Sequence, residues 1–475
     1  MYINKNGNLE DLRADFIDDE VIGRALESGK NFSKEDIREI LQKAREAKGL
    51  DLEDVAKLLF CEDEELLEEM YAVAKELKEK IYGKRIVIFA PLYYSDYCVN
   101  NCRYCGYRRD NKTPRRRLTM EEVRREVEIL EEMGHKRLAL EAGEDPVHCP
   151  IEYTLEVINT VYDTKLKNGS IRRVNINIAA TTVENYRKLK EAGIGTYVLF
   201  QETYHRPTYK TMHPSGPKSN YDYHTTAMDR AMAGGIDDVG LGVLFGLYDY
   251  RYEVLALLQH AKHLDETYGV GPHTISFPRI KPAFGVDVKK FPHMVSDEDF
   301  KKIVAIVRLA VPYTGMILST RERPDFREEV IAVGISQISA GSCTGVGGYY
   351  EEISKKESKT SPQFQVEDQR TPNEVLLSLC EKGYLPSYCT ACYRRGRTGD
   401  RFMELAKSGN IHNFCQPNAI LTFKEFIMDY ANPKLREIGE KVIEKSLEDI
   451  PSPTVRQKTA ERLKKIEAGE RDLYF

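Results

Sequence analysis

Apolar positions follow two regimes along this chain. Through residue 83 they recur every three or four residues among Glu and Lys, the spacing of amphipathic helices. Ser33 with Asp36 three residues later reads as a capping box, and 52–81 reads as helix rich in Leu, Glu and Lys. From Lys84 the pattern changes. Short apolar runs at 86–92, 137–142, 174–179, 196–201, 239–245, 274–280, 313–319 and 335–340 have strand character. Helical patterns separate them, as at 119–133, 151–166, 183–192 and 297–309. Eight successive βα units predict an α/β fold, a (β/α)8 TIM-type barrel over 84–370. A helical N-terminal extension (1–83) precedes it and a C-terminal helical domain (371–475) follows. Residues 341–370 read as a loop rich in Gly, Ser, Lys and Gln.

Composition narrows the class without naming a function. Of 475 residues 41% are hydrophobic, enough for a large core. The formal net charge of -5 gives no basic excess for nucleic acid, and the Arg-rich stretch 108–117 reads as a solvated loop or an anion contact. The start, Met1 to Lys5, has no apolar signal region, and no run is long enough to cross a bilayer. The expectation is a cytoplasmic protein with neither membrane nor nucleic acid as partner. Ten cysteines, unevenly placed, then read, where clustered, as metal ligands or catalytic thiols rather than disulfides.

Three of them fall in eight residues after the first predicted strand: Cys98, Cys102 and Cys105, spaced Cys-x3-Cys-x2-Cys. Loops after barrel strands form the active face. Three thiolates hold three irons of a cubane and leave the fourth open to a substrate group. Structural zinc prefers four closed ligands and paired Cys-x2-Cys spacing, which this segment lacks. With Tyr104 before the third cysteine, the segment resembles the signature of the radical S-adenosylmethionine (SAM) superfamily. The resemblance implies a [4Fe-4S] cluster whose open iron chelates SAM, and a 5′-deoxyadenosyl radical released on one-electron cleavage. It also implies supporting positions. Ala142, Gly143 and Glu144 end the second strand where the family has Gly-Gly-Glu and binds the SAM amino group. Glu202 or Arg206, after the fourth strand, would contact SAM, and Val243, in Gly240–Gly246 on the fifth, would back the adenine.

Pro91 to Tyr94, Gln201 to Tyr204, Ile275 to Arg279 and Leu318 to Glu322 narrow the resemblance further. Together they are similar to the radical SAM tyrosine lyases, one branch from thiamine synthesis and one from [FeFe]-hydrogenase maturation. The implied substrate is L-tyrosine, cleaved at Cα–Cβ to p-cresol and dehydroglycine. Ser319, Arg321 and Arg323 close the seventh strand, and an arginine there can grip a carboxylate in bidentate fashion. On an extended chain Arg321 and Arg323 face the same way, so spacing does not separate them. Arg323 is favoured, on the expectation that Arg321 pairs within the barrel rim.

Cys389 and Cys392, with Cys415 after 22 intervening residues, form a second set of three thiols. Spacing alone leaves two readings, a second iron–sulfur cluster or a zinc site completed by His412. The tail resembles that of the maturation branch and is absent from the thiamine branch. The resemblance implies an extra iron, chelated by free cysteine, on which CO and cyanide from dehydroglycine collect. His273 is the candidate protein ligand for that iron, although it sits at the N-terminal edge of the sixth strand, away from the expected active face. An electron donor of ferredoxin or flavodoxin type and other hydrogenase maturation proteins are the implied partners. Cys61, Cys149, Cys343 and Cys380 read as buried structural thiols.

Overall fold

The computed structural model describes residues 9–355, 360–407 and 411–475, so the polar start at residues 1–8 lies outside the described residues. Eight parallel strands form the barrel: β1 (Arg85–Ser95), β2 (Arg137–Ala142), β3 (Arg173–Asn177), β4 (Tyr197–Val198), β5 (Val239–Gly242), β6 (Thr274–Ser276), β7 (Gly315–Leu318) and β8 (Gln337–Ser339). Each pairs with its neighbour in sequence, and β8 closes onto β1 with Gln337 opposite Val87. The expected eight units are therefore present. Several strands are shorter than their apolar runs. Beyond Gly242, for example, Val243 and Phe245 make only single bridges, to Glu202 and Arg279.

Alternation along each strand decides what fills the barrel. On β1 Ile86, Ile88, Ala90 and Leu92 are fully buried in the apolar core, while Phe89, Pro91 and Tyr93 line the interior. On β2 Leu138 and Leu140 join the core and Ala139 and Glu141 line the interior. Barrels of this kind are usually packed inside with Val, Ile and Leu. Here small and polar residues, among them Asn175, Asn177, Ser276, Ser319 and Ser339, leave a cavity of about 210 Å³.

The extensions depart from the sequence reading in instructive ways. The run 52–81 is two helices, Leu52–Phe60 and Glu64–Tyr82, because Asp63 caps the second through the Leu66 amide. The Ser33–Asp36 capping box is present. Helix Glu64–Tyr82 buries Leu66, Met70, Val73 and Leu77 in the common core. The predicted helix 151–166 stops at Asp163 and runs into a small hairpin, Lys165–Leu166 with Gly169–Ser170. The loop after β8 contains a helix, Gly348–Ile353.

The tail is helical, as expected, but it is joined to the barrel by a strand the sequence reading did not foresee. β9 (Leu385–Ser387) runs parallel to the start of β1, with Arg85 opposite Leu385. The three residues are fully buried, yet a three-residue run with a central proline gives no alternation to read. Among the described residues no helix is long and apolar enough to cross a membrane.

Candidate active site

The loop after β1 carries Cys98, Cys102 and Cys105 to the upper mouth of the barrel, and all three line the cavity. Neighbouring loops pin it. The Val99 amide donates to the Glu144 carbonyl (2.8 Å), Asn101 to Ser215 (3.2 Å) and Arg103 to Met212 (3.0 Å). Burial pushes all three thiols up, Cys105 to about 11. Each is a soft donor held from water. Tyr104 also lines the cavity, its hydroxyl 2.7 Å from His213 Nε2.

The Ala142–Glu144 turn closes over this loop. A Cβ on Gly143 would overlap the Tyr97 carbonyl, so only glycine lets the turn approach the cysteines this closely. The Glu144 carboxylate accepts from the Asn100 amide. Glu202 lies on the opposite wall with φ of 70° and holds Lys218 at 2.8 Å. Sequence reading missed Lys218. It is a lone cation in an irregular segment, and only folding brings it into the cavity beside the cysteines.

Two expected SAM contacts lie elsewhere. Arg206 bonds to Asp222 (3.1 Å) and the Ala14 carbonyl (3.1 Å) and is not on the cavity, because the chain turns into helix Arg206–Met212 just after Glu202. Val243 is fully buried in the core, and its neighbour Leu244 lines the cavity instead.

The arginine preference is reversed. Arg323 is half exposed, caps no cavity wall, and pairs with Asp297 (2.7 Å) and Asp325 (3.0 Å). Arg321 is partly buried, lines the cavity and stacks on Phe364 with 3.4 Å to the ring centre. The rim pairing expected of Arg321 is made by another residue: buried Glu322 takes Arg279 in a bidentate pair. Among the described residues Arg321 has no ion pair, so its guanidinium is available to a ligand. The chain turns at Thr320–Arg321 instead of staying extended, which sends the two arginines apart. Ser319 lines the same wall, as does Ser342, whose buried hydroxyl has no hydrogen-bond partner among the described residues. Tyr93 faces them and donates to Gln363 (2.9 Å).

Cys389 and Cys392 lie at the opposite pole. β9 leads directly into Cys389, and the start of β2 reaches it, with Arg137 Nη1 donating to the Cys389 carbonyl at 2.8 Å. Arg173, at the start of β3, lies under the Tyr393 ring next to Cys392. Cys392 is pushed up to about 11 by burial and by Cys389. Cys415 sits in the first turn of helix His412–Asp429. His412 Nε2 faces the Lys80 carbonyl at 2.8 Å. His273 Nε2 lies 3.0 Å from the Tyr393 hydroxyl. The N-terminal edge of β6 is thus at the same end of the barrel as Tyr393, next to Cys392. Burial lowers its pKa, which keeps the imidazole neutral. Arg85 and Arg137 are lowered to about 10 by burial, and Arg173 further. Among the described residues Arg85 Nη2, Arg137 Nε and Arg173 Nη1 have no hydrogen-bond partner. Three buried cations gathered on one set of thiols suit a strongly anionic group. Among the described residues no three His, Cys, Asp or Glu side chains converge on a point that would hold a single metal ion.

Comparisons with known proteins agree with this geometry. Residues 92–261 match the radical SAM superfamily, and 276–385 match the biotin and thiamin synthesis associated domain. The chain is 30% identical to 2-iminoacetate synthase of Salmonella typhimurium over 73% of its own length and 89% of the relative's. A crystal structure of HydG, a maturase of the [FeFe]-hydrogenase, is 70% identical and superposes with a TM-score of 0.95, covering 97% of this chain and all of that one. HydG from Carboxydothermus hydrogenoformans is 38% identical, with a TM-score of 0.82 over 94% of this chain and 98% of its own.

Proposed function

The chain belongs to the radical SAM tyrosine lyases, in the branch that holds the hydrogenase maturase HydG, and with that as premise we propose that its two poles run consecutive halves of one synthesis. The upper pole cleaves the Cα–Cβ bond of L-tyrosine to p-cresol and dehydroglycine. The lower pole converts dehydroglycine to CO and cyanide bound to iron, a precursor for the [FeFe]-hydrogenase cluster. The observation that supports this reading is Cys98, Cys102 and Cys105 at one end of the barrel and Cys389 and Cys392 at the other, with a polar interior between them.

At the upper pole a [4Fe-4S] cluster with bound SAM supplies, once reduced, a carbon radical able to take a hydrogen atom from the substrate. Cys98, Cys102 and Cys105 would hold that cluster through one thiolate each. Glu144, the backbone of Ala142 and Gly143, and the Glu202–Lys218 pair would hold the polar groups of SAM against the cysteine loop. Leu199 and Leu244 give an apolar wall. Arg321, with Ser319, Ser342 and Tyr93, would fix the tyrosine head group by its carboxylate. The buried walls exclude water, which protects a radical from side reactions.

At the lower pole Cys389, Cys392 and Cys415 would carry a second cluster, with His273 the ligand of an extra iron further held by free cysteine. The donor set favours a cluster over zinc, because a cubane asks for one thiolate per iron and zinc asks for four ligands at one point. The three arginines offset the charge of an anionic cluster. A ferredoxin- or flavodoxin-type donor and other maturation proteins complete the scheme.

The test is anaerobic reconstitution with iron and sulfide, followed by SAM, reductant and L-tyrosine. Release of both p-cresol and CO is expected. Cresol without CO would assign the chain to the thiamine-type reaction instead, and neither product with SAM intact would overturn the lyase reading.

A further inference from the structure

Tyrosine is a zwitterion, and a buried site that meets only its carboxylate leaves a desolvated ammonium without a counter-charge. Three acids line the upper cavity. Glu202 is paired with Lys218, and Glu144 is bonded to Asn100 beside the cysteine loop. Glu141 is the third. It lies on β2, two residues before Gly143, on the same inward face as Ala139 and so deeper in the barrel than the SAM turn. Among the described residues it has no ion pair, and it sits opposite Asn177 of β3 in the strand register. The charged and titratable groups that face it are Arg321 from the loop after β7, Tyr93 from β1 and Tyr107 from the cysteine loop.

Resting on the tyrosine-lyase reading, we propose that Glu141 is the carboxylate that receives the α-amino group of tyrosine and takes a proton from it, opposite Arg321 at the substrate carboxylate. The dehydroglycine formed by Cα–Cβ cleavage is a neutral imine, so its nitrogen must shed a proton on the way from an ammonium. In the step assigned to Glu141 one N–H bond breaks and one O–H bond forms. The electron pair stays on nitrogen, and R–NH3+ with –COO− becomes R–NH2 with –COOH. Nothing is oxidised or reduced. Burial pushes the Glu141 carboxyl up to about 8, against the pull of Arg321. A carboxyl raised in this way is a stronger base than an exposed one, which narrows the gap to the ammonium it deprotonates.

The experiment compares wild type, Glu141→Gln and Glu141→Asp as reconstituted holoenzyme with SAM bound. Binding of L-tyrosine is measured against 3-(4-hydroxyphenyl)propanoate, which lacks only the amino group. Wild type is expected to favour L-tyrosine by at least about tenfold, E141Q by less than about threefold, and E141D to recover most of the preference. Cresol formation is then followed from pH 6 to 9.5. The wild-type rate is expected to fall on the acid side as Glu141 takes up its proton. E141Q is expected to lose that limb and at least about tenfold in rate, while circular dichroism stays unchanged. An E141Q protein that keeps the wild-type preference for L-tyrosine, or keeps the acid limb, overturns the proposal alone. A wild-type protein that neither binds L-tyrosine nor makes cresol overturns the lyase reading, and this proposal with it.

Discussion

The two poles of the barrel bury similar thiols and differ in the charge around them. At the upper pole the cysteines share a cavity with three carboxylates and two cations, and most of these groups are already paired: Glu202 with Lys218, Glu144 with Asn100. At the lower pole three arginines converge with nitrogens that have no partner among the described residues, and nearby Asp238 acts on His273 and Arg173. A balanced cavity suits exchangeable zwitterions such as SAM and an amino acid. A cationic pocket suits a permanent anionic group. On the proposed function, the difference assigns turnover of substrates to the upper pole and retention of a cluster to the lower one.

The largest effects should come from removing the thiols themselves. Replacing Cys98, Cys102 and Cys105 with Ala is expected to abolish SAM cleavage, cresol and CO together, since everything downstream depends on that pole. The double variant Cys389→Ala/Cys392→Ala is expected to keep cresol within about threefold and lose CO. Measuring cresol, CO and 5′-deoxyadenosine on both variants decides the point. If the tail variant made CO at wild-type yield, the division of labour would be wrong. If it lost cresol as well, the poles would not be separable.

That comparison was only partly legible in the sequence. The upper pole could be read because its chemistry is local: Cys98, Cys102, Cys105 and Tyr104 fall within eight residues, and Glu144 closes a strand. The eight barrel strands could be read because their apolar runs are regular. What escaped reading was made by distant contacts. Arg321 and Arg323 look equivalent until Arg279, 43 residues before Glu322, claims that acid and the chain turns between the two arginines. Lys218 and Ser342 carry no spacing signal. His273 looked misplaced because the lower pole does not exist until β9 pairs with β1 and draws Cys389 under the barrel. Arg85, Arg137 and Arg173 each begin a strand in an ordinary way, and only closure brings them together.

A smaller effect sharpens the account of the upper pole. Arg321→Ala is expected to raise the KM for L-tyrosine by roughly tenfold to a hundredfold, because it removes the partner of a carboxylate. SAM cleavage without tyrosine should be unaffected. Arg321→Lys should recover little, since a single ammonium cannot replace a planar two-point grip. Arg323→Ala should stay within about twofold of wild type, since its pairs with Asp297 and Asp325 are at the surface. Steady-state cresol kinetics on the three variants check this, and an Arg323→Ala defect larger than that of Arg321→Ala would return the head-group site to Arg323.

The smallest effect is also the one most specific to the lower pole, because its sign should depend on the cluster. Arg137 is buried, lies close to Arg173 and has one nitrogen without a partner among the described residues. Without a second cluster, Arg137→Met removes one of several repelling buried cations and loses one hydrogen bond to the Cys389 carbonyl. Relief of desolvation outweighs that bond, so the cluster-free protein is expected to gain about 1–3 kcal/mol in stability. With the cluster in place the same guanidinium offsets its negative charge. The variant should then melt lower than wild type and release the tail iron faster to a chelator, while the upper cluster is unaffected. Thermal melts of both proteins with and without reconstitution check this. If the substitution shifted stability in the same direction in both states, the arginines would be structural, and the lower pole would have no electrostatic preference for what it holds.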